Sequence, residues 1–255
     1  MIDIHCHILP GIADGAKSET ASLQIAQQAV DQGIHTMIAT PHHLNNRYEN
    51  NRESIIKHTE ILNHLFASHN IPLTLLPGQE TRIYGEFLQG LRNGELLPLN
   101  ETSFVFVELP YDHVPLYTES LIYDLQMAGY KPIIVHPERN RELVEQPDKL
   151  YDLVRRGALT QVTTNSLLGR FGKSVARFSR EIIEHHLAHF VASDAHNTTS
   201  RPVNLMNAYD FVKKEFGIET YYMFLENAEY LIKNETVNRT EPQRIRRRRF
   251  FGLFK

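Results

Sequence analysis

Short apolar stretches alternate with longer amphipathic ones almost from the first residue, and this alternation constrains the fold more than any other feature of the chain. Runs rich in Val, Ile, Phe or Thr, bounded by Gly, Pro or Asn, predict seven strands at 2–7, 35–40, 73–78, 104–108, 132–136, 159–163 and 189–193. Helical periodicity fills the intervals at 19–32, 51–68, 117–128, 148–156, 175–186 and 204–216. Ser18 and Gly33 bracket the first helix as N-cap and stop, and Gly129 and Gly157 follow two others, where a left-handed residue is often required. Strand followed by helix, many times over, means parallel strands joined by crossover helices. No G-x-G-x-x-G follows the first strand, so a closed or nearly closed barrel is favoured over an open dinucleotide-binding sheet. The 255 residues suit one such domain, with no linker before about residue 235. From 238 to 249 periodicity is lost, and an exposed tail is expected there.

A parallel barrel places its working residues at the carboxyl ends of its strands. Those ends carry His5-Cys6-His7, Pro41-His42-His43, Gly78-Gln79-Glu80, Glu108, His136-Pro137-Glu138-Arg139 and Ser193-Asp194-Ala195-His196. Only the strand near Thr163 lacks an obvious ligand. Alternation puts His5 and His7 on one face of the first strand and Ile4 and Cys6 on the other, and the same holds for Asp194 and His196. One H-x-H is weak evidence; donors at six strand ends together predict a metal site. Glu80 and Glu108 end apolar strands, where a buried carboxylate without a cation would be costly.

Each residue also has a plainer reading. His35, His58, His64, His69, His185, His186 and His189 fall in helices or at element starts and are read as structural. Between His42 and His43 the former is preferred, Asp14 reads equally as a turn residue, and Glu138 as a supporting one. The candidates are therefore His5, His7, Asp14, His42, Glu80, Glu108, His136, Asp194 and His196. Nine donors exceed one four-coordinate site and predict a cluster of two or three ions. Imidazole and carboxylate without thiolate suit manganese, iron, zinc or similar ions. Such clusters activate a hydroxide and clamp the oxygens of an in-line displacement. Arg139 and Arg201 would lie on the same rim, where guanidinium groups suit phosphate, although solubilising charge is their plainer role.

Composition narrows the rest. The single cysteine, Cys6, excludes an internal disulfide framework, and Ile12 stands where a cysteine phosphatase loop would need arginine. Net charge is −3, yet the stretch from Arg244 to Lys255 holds six basic residues and no acid, so the body is about −9. That distribution argues against a nucleic-acid-binding face. Met1 leads straight into the first strand without a basic or apolar leader, so a cytoplasmic protein is expected. The Arg- and Phe-rich end reads either as a solubilising tail or as a weak contact with the anionic inner membrane surface.

The motifs His5-x-His7, Thr40-Pro41-His42-His43, Pro77-Gly78-Gln79-Glu80, His136-Pro137-Glu138-Arg139-Asn140 and Ser193-Asp194-Ala195-His196 together resemble the polymerase and histidinol phosphatase (PHP) superfamily. The likeness is to its bacterial capsule-type, manganese-dependent protein-tyrosine phosphatases, the CpsB/YwqE group, and runs from Met1 to Ala228. It implies an α/β fold, a distorted (β/α)7 TIM-like barrel, as a single phosphoesterase domain over 1–237 with a tail over 238–255. It implies three metals: one held by His5, His7, Glu80 and Asp194; one by Glu80, Glu108 and His136; one by Asp14, His42 and His196. Manganese is expected, with iron, zinc, cobalt or magnesium as alternatives. Arg139 and Arg201 match the phosphate-binding arginines of the group. The substrates it implies are phosphotyrosine proteins, above all a membrane-associated bacterial tyrosine kinase controlling exopolysaccharide synthesis. A PHP-type phosphatase of small molecules, such as histidinol phosphate, is the rival. An amidohydrolase also opens with H-x-H on a barrel strand, but commonly has lysine where Glu108 and His136 stand here.

Overall fold

The computed structural model describes residues 1–246. The expectation for the basic, Phe-rich terminus beyond Arg246 lies outside the described residues. Strand segments follow the chain as β1 (Ile2–Cys6), β2 (Thr36–Ala39), β3 (His42–His43), β4 (Thr74–Pro77), β5 (Glu80–Arg82), β6 (Phe104–Glu108), β7 (Lys131–Val135), β8 (Leu159–Thr163) and β9 (Phe190–Ala192). All pair in parallel, in the orders β1-β2-β4 and β3-β5-β6-β7-β8-β9. The ring closes where Asp194 N–H donates to His5 O at 2.9 Å and His7 N–H to Ala195 O at 2.8 Å. The expected barrel therefore forms.

Two of the seven expected strands are each followed, past a break at their carboxyl end, by a second short segment that the sequence did not announce. The second breaks at Thr40-Pro41, where proline has no N–H to give the ladder. The third breaks at Gly78, where any side chain would run into Ile38 and Leu99, each 2.8 Å from the added carbon. Beyond both breaks the chain resumes as β3 and β5, with His42 opposite Glu80. The kinks thus turn two ligand candidates toward each other.

Helices α1 (Glu19–Asp31), α2 (Arg52–Ser68), α3 (Phe87–Arg92), α4 (Thr118–Met127), α5 (Arg141–Glu145), α6 (Pro147–Arg155), α7 (Thr164–Leu167), α8 (Lys173–Glu184), α9 (Leu205–Phe216) and α10 (Ile218–Ile232) accompany the strands. Ser18 caps α1 and Asn51 caps α2, each side chain accepting an orphan backbone N–H. The 15-residue α10 is absent from the sequence reading because only Gly217, at φ +90°, separates it from α9. No cluster of turn residues announces it. Its Ala228 and Leu231 pack with Ile2, Phe104, Ile133, Leu159 and Phe190, the apolar filling of the barrel interior. Ile4 belongs to this filling too, whereas Cys6 packs in the layer outside it. The expectation that these two share a face fails because the β1 ladder shifts register between Asp3 and Cys6.

The segment after α10 is largely exposed, as expected, but it is moored to the body. Val237 and Ile245 are buried, Asn238 N–H donates to Asn227 Oδ1, and Gln243 N–H donates to His185 O. Arg244 pairs with Asp148 and Asp152 on α6. Part of the basic charge assigned to a free tail is therefore spent on the domain itself.

His189 opens the last strand in a neutral state. Its Nδ1 accepts the Thr160 backbone N–H at 3.2 Å, so that nitrogen carries no proton, and burial pushes its pKa down from 6.5 to about 3. The unfolded chain therefore binds the extra proton first, and stability is lost as pH falls below about 6.5. The loss at about pH 5 is roughly 2 kcal/mol. His189→Asn keeps an acceptor near the same place without titrating. Urea unfolding at pH 7 and pH 5 should show a shallower pH dependence in the variant by about that amount.

Candidate metal centre

Glu80 sits at the start of β5, fully buried, and four imidazoles surround it. One carboxylate oxygen, Oε2, lies 3.2 Å from His5 Nε2, 3.1 Å from His7 Nε2 and 3.0 Å from His42 Nδ1. The other, Oε1, lies 2.7 Å from His136 Nε2. Asp194 forms the second focus: its Oδ1 is 3.2 Å from His7 Nε2, 3.5 Å from His5 Nε2 and 3.6 Å from His196 Nδ1. Asp14 forms a third, 3.3 Å from His196 Nε2 and 3.6 Å from His42 Nε2. All nine residues singled out in the sequence meet at the carboxyl ends of the strands.

Local backbone geometry delivers them. His136 and Asp194 adopt left-handed conformations at φ +34° and +51°, uncommon for residues with a side chain, as β7 and β9 turn into their loops. Asp14 reaches the cluster because its loop folds back onto His7. Ala16 N–H donates to His7 O, and a Cβ at Gly15 would lie 1.9 Å from that same oxygen. The turn is thus what places the Asp14 carboxylate beside His196 and His42.

Charge explains how such groups coexist without water. Burial works against the charged form of His42, but Glu80 and Glu108 overcome it and hold the ring's pKa up to about 11. Burial likewise disfavours the Glu80 carboxylate, yet His42 and His5 keep it well below the usual range. For Asp194 the opposing charges are Arg201 and Arg139. For His196 burial, together with the neighbouring His7, outweighs Asp14 and Asp194, and its pKa falls to about 4. The carboxylates create a field that favours a cation, whether a proton or a metal ion.

The donors fit metal ions. His5 Nδ1 lies 2.8 Å from Gln161 Oε1, an acceptor, so the proton sits on Nδ1. In the neutral ring His5 Nε2 would then present a lone pair toward His7 Nε2, 3.3 Å away, and toward Glu80. Electron pairs facing one another need a cation between them. Buried atoms of five further residues lie among these groups without a well-formed hydrogen bond: Asp14 Oδ1, Asp194 Oδ1, His7 Nδ1, His42 Nδ1 and His196 Nε2. Three sets bring ligand atoms within 4.8 Å of one another: His5, His7, Glu80 and Asp194; His7, Asp14, His42 and His196; and His42, Glu80 and Glu108. The first matches the set implied by resemblance. The second adds His7, and the third has His42 where His136 was expected, with His136 joined through Glu80 instead.

Both arginines converge on the outer oxygen of Asp194: Arg139 Nη1 and Arg201 Nη2 donate to Oδ2 at 2.8 and 2.7 Å. Arg201 Nε is buried and unpartnered, a donor left over for an anion. His43 turns away from the cluster, and Cys6, wholly buried, donates its thiol to Ile38 O. Glu138 accepts the Thr163 N–H and has the supporting role expected of it.

The sequence reading missed three supporting residues. Gln161, on the strand thought to lack a ligand, orients His5. Its signal was an amide side chain two positions after the buried Leu159, on the same face of the strand. Arg82, two residues after Glu80, grips Glu108 through Nε and Nη2 at 3.2 and 2.9 Å. Asp3, buried beneath His5, accepts the Ser193 N–H at 3.0 Å and fastens the closing strands.

Residues 1–233 match the family described as "Capsular polysaccharide synthesis, CpsB/CapC". The chain belongs to the CpsB/CapC family. It is 51% identical over 254 residues to the tyrosine-protein phosphatase YwqE of Bacillus subtilis, covering 100% of both chains. It is 30% identical over 243 residues to the tyrosine-protein phosphatase CpsB of Streptococcus agalactiae, covering 93% of this chain and 100% of the relative. Among solved structures, one from work on YwqE of Bacillus subtilis and CpsB of Streptococcus pneumoniae, described as metal-dependent tyrosine phosphatases, superposes with a TM-score of 0.95. It is 51% identical, covering 97% of this chain and 100% of that one. An organophosphorus hydrolase of Deinococcus radiodurans, at 12% identity and a TM-score of 0.57 over 91% and 92% of the two chains, shares the fold.

If this CpsB/CapC chain holds cations at Glu80, manganese added to chelated protein should raise its unfolding temperature. At 100 times the dissociation constant the gain is about 2.7 kcal/mol, or roughly 5–10 °C for a chain of this size. Glu80→Gln should remove most of that rise, as read by differential scanning fluorimetry.

Proposed function

We propose that this chain is a metal-dependent protein-tyrosine phosphatase acting on phosphotyrosine proteins in the control of capsular or exopolysaccharide synthesis. The observation that carries the reading is the position of Asp194, with one oxygen in the histidine–carboxylate cluster and the other on two guanidinium groups. A phosphate group suits such a site, with cations on one side and two guanidinium groups on the other. The phosphatase names of the YwqE and CpsB relatives support the same chemistry.

His5, His7, Asp14, His42, Glu80, Glu108, His136, Asp194 and His196 would hold two or three ions, with manganese the proposed metal. Such ions, when bound, supply Lewis acidity and a nucleophile drawn from water at neutral pH. The remaining work belongs to the chain. Arg139 and Arg201 take the phosphoryl oxygens of a group carrying about −1.5 to −2 charge, and Asp194 keeps both aimed at the same spot. Charge building on those oxygens is met by donors already in place. The leaving phenolate has a pKa of about 10, so no protein acid is required. Cys6 forms no phosphoenzyme, because burial pushes its thiol pKa up and its proton is given to a backbone carbonyl.

No helix among the described residues is long and apolar enough to cross a membrane. We place the protein in the cytoplasm as one PHP domain over 1–237 followed by its basic terminus. A membrane-associated tyrosine kinase is the proposed partner, and nucleic acid is not.

Phosphate release from a phosphotyrosine peptide should require manganese and stop on chelation. His136→Ala and Arg139→Ala should each lower kcat/KM by at least about 100-fold. Histidinol phosphate, offered alongside, should be the poorer substrate; preference for it would replace this reading with the small-molecule one.

A further inference from the structure

The cleft beside Glu108, His136 and Arg139 has an outer wall that the phosphate chemistry does not use. That wall is Pro110-Tyr111, at the start of the loop between β6 and α4. Tyr111 is 75% exposed, and its ring has no aromatic or cationic partner among the described residues.

Its backbone, in contrast, is held firmly. Asn140 Nδ2 donates to Pro110 O at 2.6 Å and to His113 O at 2.9 Å, and Arg141 N–H donates to Tyr111 O at 2.8 Å. Glu142 accepts the Val114 N–H at 2.6 Å. The residues doing the holding are the three that follow Arg139 directly. The arginine that would take phosphate and the aromatic wall therefore sit on one rigid body, with their spacing set by the Asn140 bridge. A mobile surface tyrosine would need no such fastening.

We propose that Tyr111 is a specificity-determining residue, its ring forming the surface against which the aromatic ring of phosphotyrosine lies while the phosphate rests on Arg139. The inference rests on the phosphatase reading above and adds to it a reason for aryl over alkyl phosphates. A phosphotyrosine carries its ring directly outside the phosphate, where an aromatic wall of the same cleft can meet it, and aromatic pairs in offset or edge contact gain beyond simple burial. A phosphoserine offers only one methylene at that depth. The contact is made equally in the ground and transition states, so it acts on KM and leaves kcat alone.

The test uses full-length, manganese-loaded enzyme with Tyr111→Ala and Tyr111→Phe. KM for a phosphotyrosine peptide should rise about five- to tenfold in Tyr111→Ala with kcat within twofold, and stay near the parent value in Tyr111→Phe. The inhibition constant of inorganic phosphate, which has no ring, should move by less than twofold in both. An unchanged peptide KM in Tyr111→Ala, or an equal loss for peptide and inorganic phosphate, overturns the inference while leaving the phosphatase reading intact. Failure of the parent enzyme to hydrolyse the peptide overturns both. Because Tyr111 is exposed, both variants should fold, and an unchanged unfolding temperature checks this.

Discussion

Two carboxylates withdrawn from water, those of Glu80 and Asp194, impose the constraint on which the rest of the structure depends. A buried anion is tolerated only when opposite charge and hydrogen bonds compensate it. Here the compensation comes from every side of the barrel mouth: imidazoles of β1, β3 and the loop after β7 around Glu80, and two arginines from separate loops on Asp194. The backbone features at the mouth serve the same end. The breaks at Pro41 and Gly78, the left-handed turns at His136 and Asp194, and the close approach of Gly15 to His7 each bring a donor inward. Below them an apolar filling of Ile, Leu and Phe side chains, with Ala228 and Leu231 of α10 among them, supplies the rigid floor.

The site was more legible in the sequence than the fold that builds it. Strand-end position marks a donor without knowledge of strand pairing, so His5, Glu80, Glu108 and Asp194 could be placed by pattern and barrel logic alone. What stayed hidden depends on contacts between distant segments. Gln161 looks like any polar residue until His5 is seen 2.8 Å away, 156 positions earlier in the chain. The approach of His42 to Glu108 is likewise set by where β3 resumes after Pro41, a detail no local pattern carries. Helix α10 escaped because a single glycine joins it to α9, and the Ile4–Cys6 alternation failed at a register shift. Periodicity assumes regular elements, and this protein works through its irregular ones.

Barrels of this outline serve other hydrolases, as the likeness to a remote organophosphorus hydrolase indicates, so the fold alone says little about the reaction. The distinction lies in the rim. Membership of the CpsB/CapC family and the 51% identity to YwqE join this chain to proteins named as tyrosine phosphatases. The pair of guanidinium groups on Asp194 gives that chemistry a physical basis in the chain's own residues.

Convergence of these side chains on bound cations is the claim from which everything else follows, and anomalous diffraction from crystals grown with manganese tests it most directly. The account requires two or three strong anomalous peaks at the barrel mouth, with Glu80 in contact with more than one and His5, His7, His42 and Asp194 among the ligands. Peaks confined to surface carboxylates, or an empty map between Glu80 and Asp194 at saturating manganese, would contradict it.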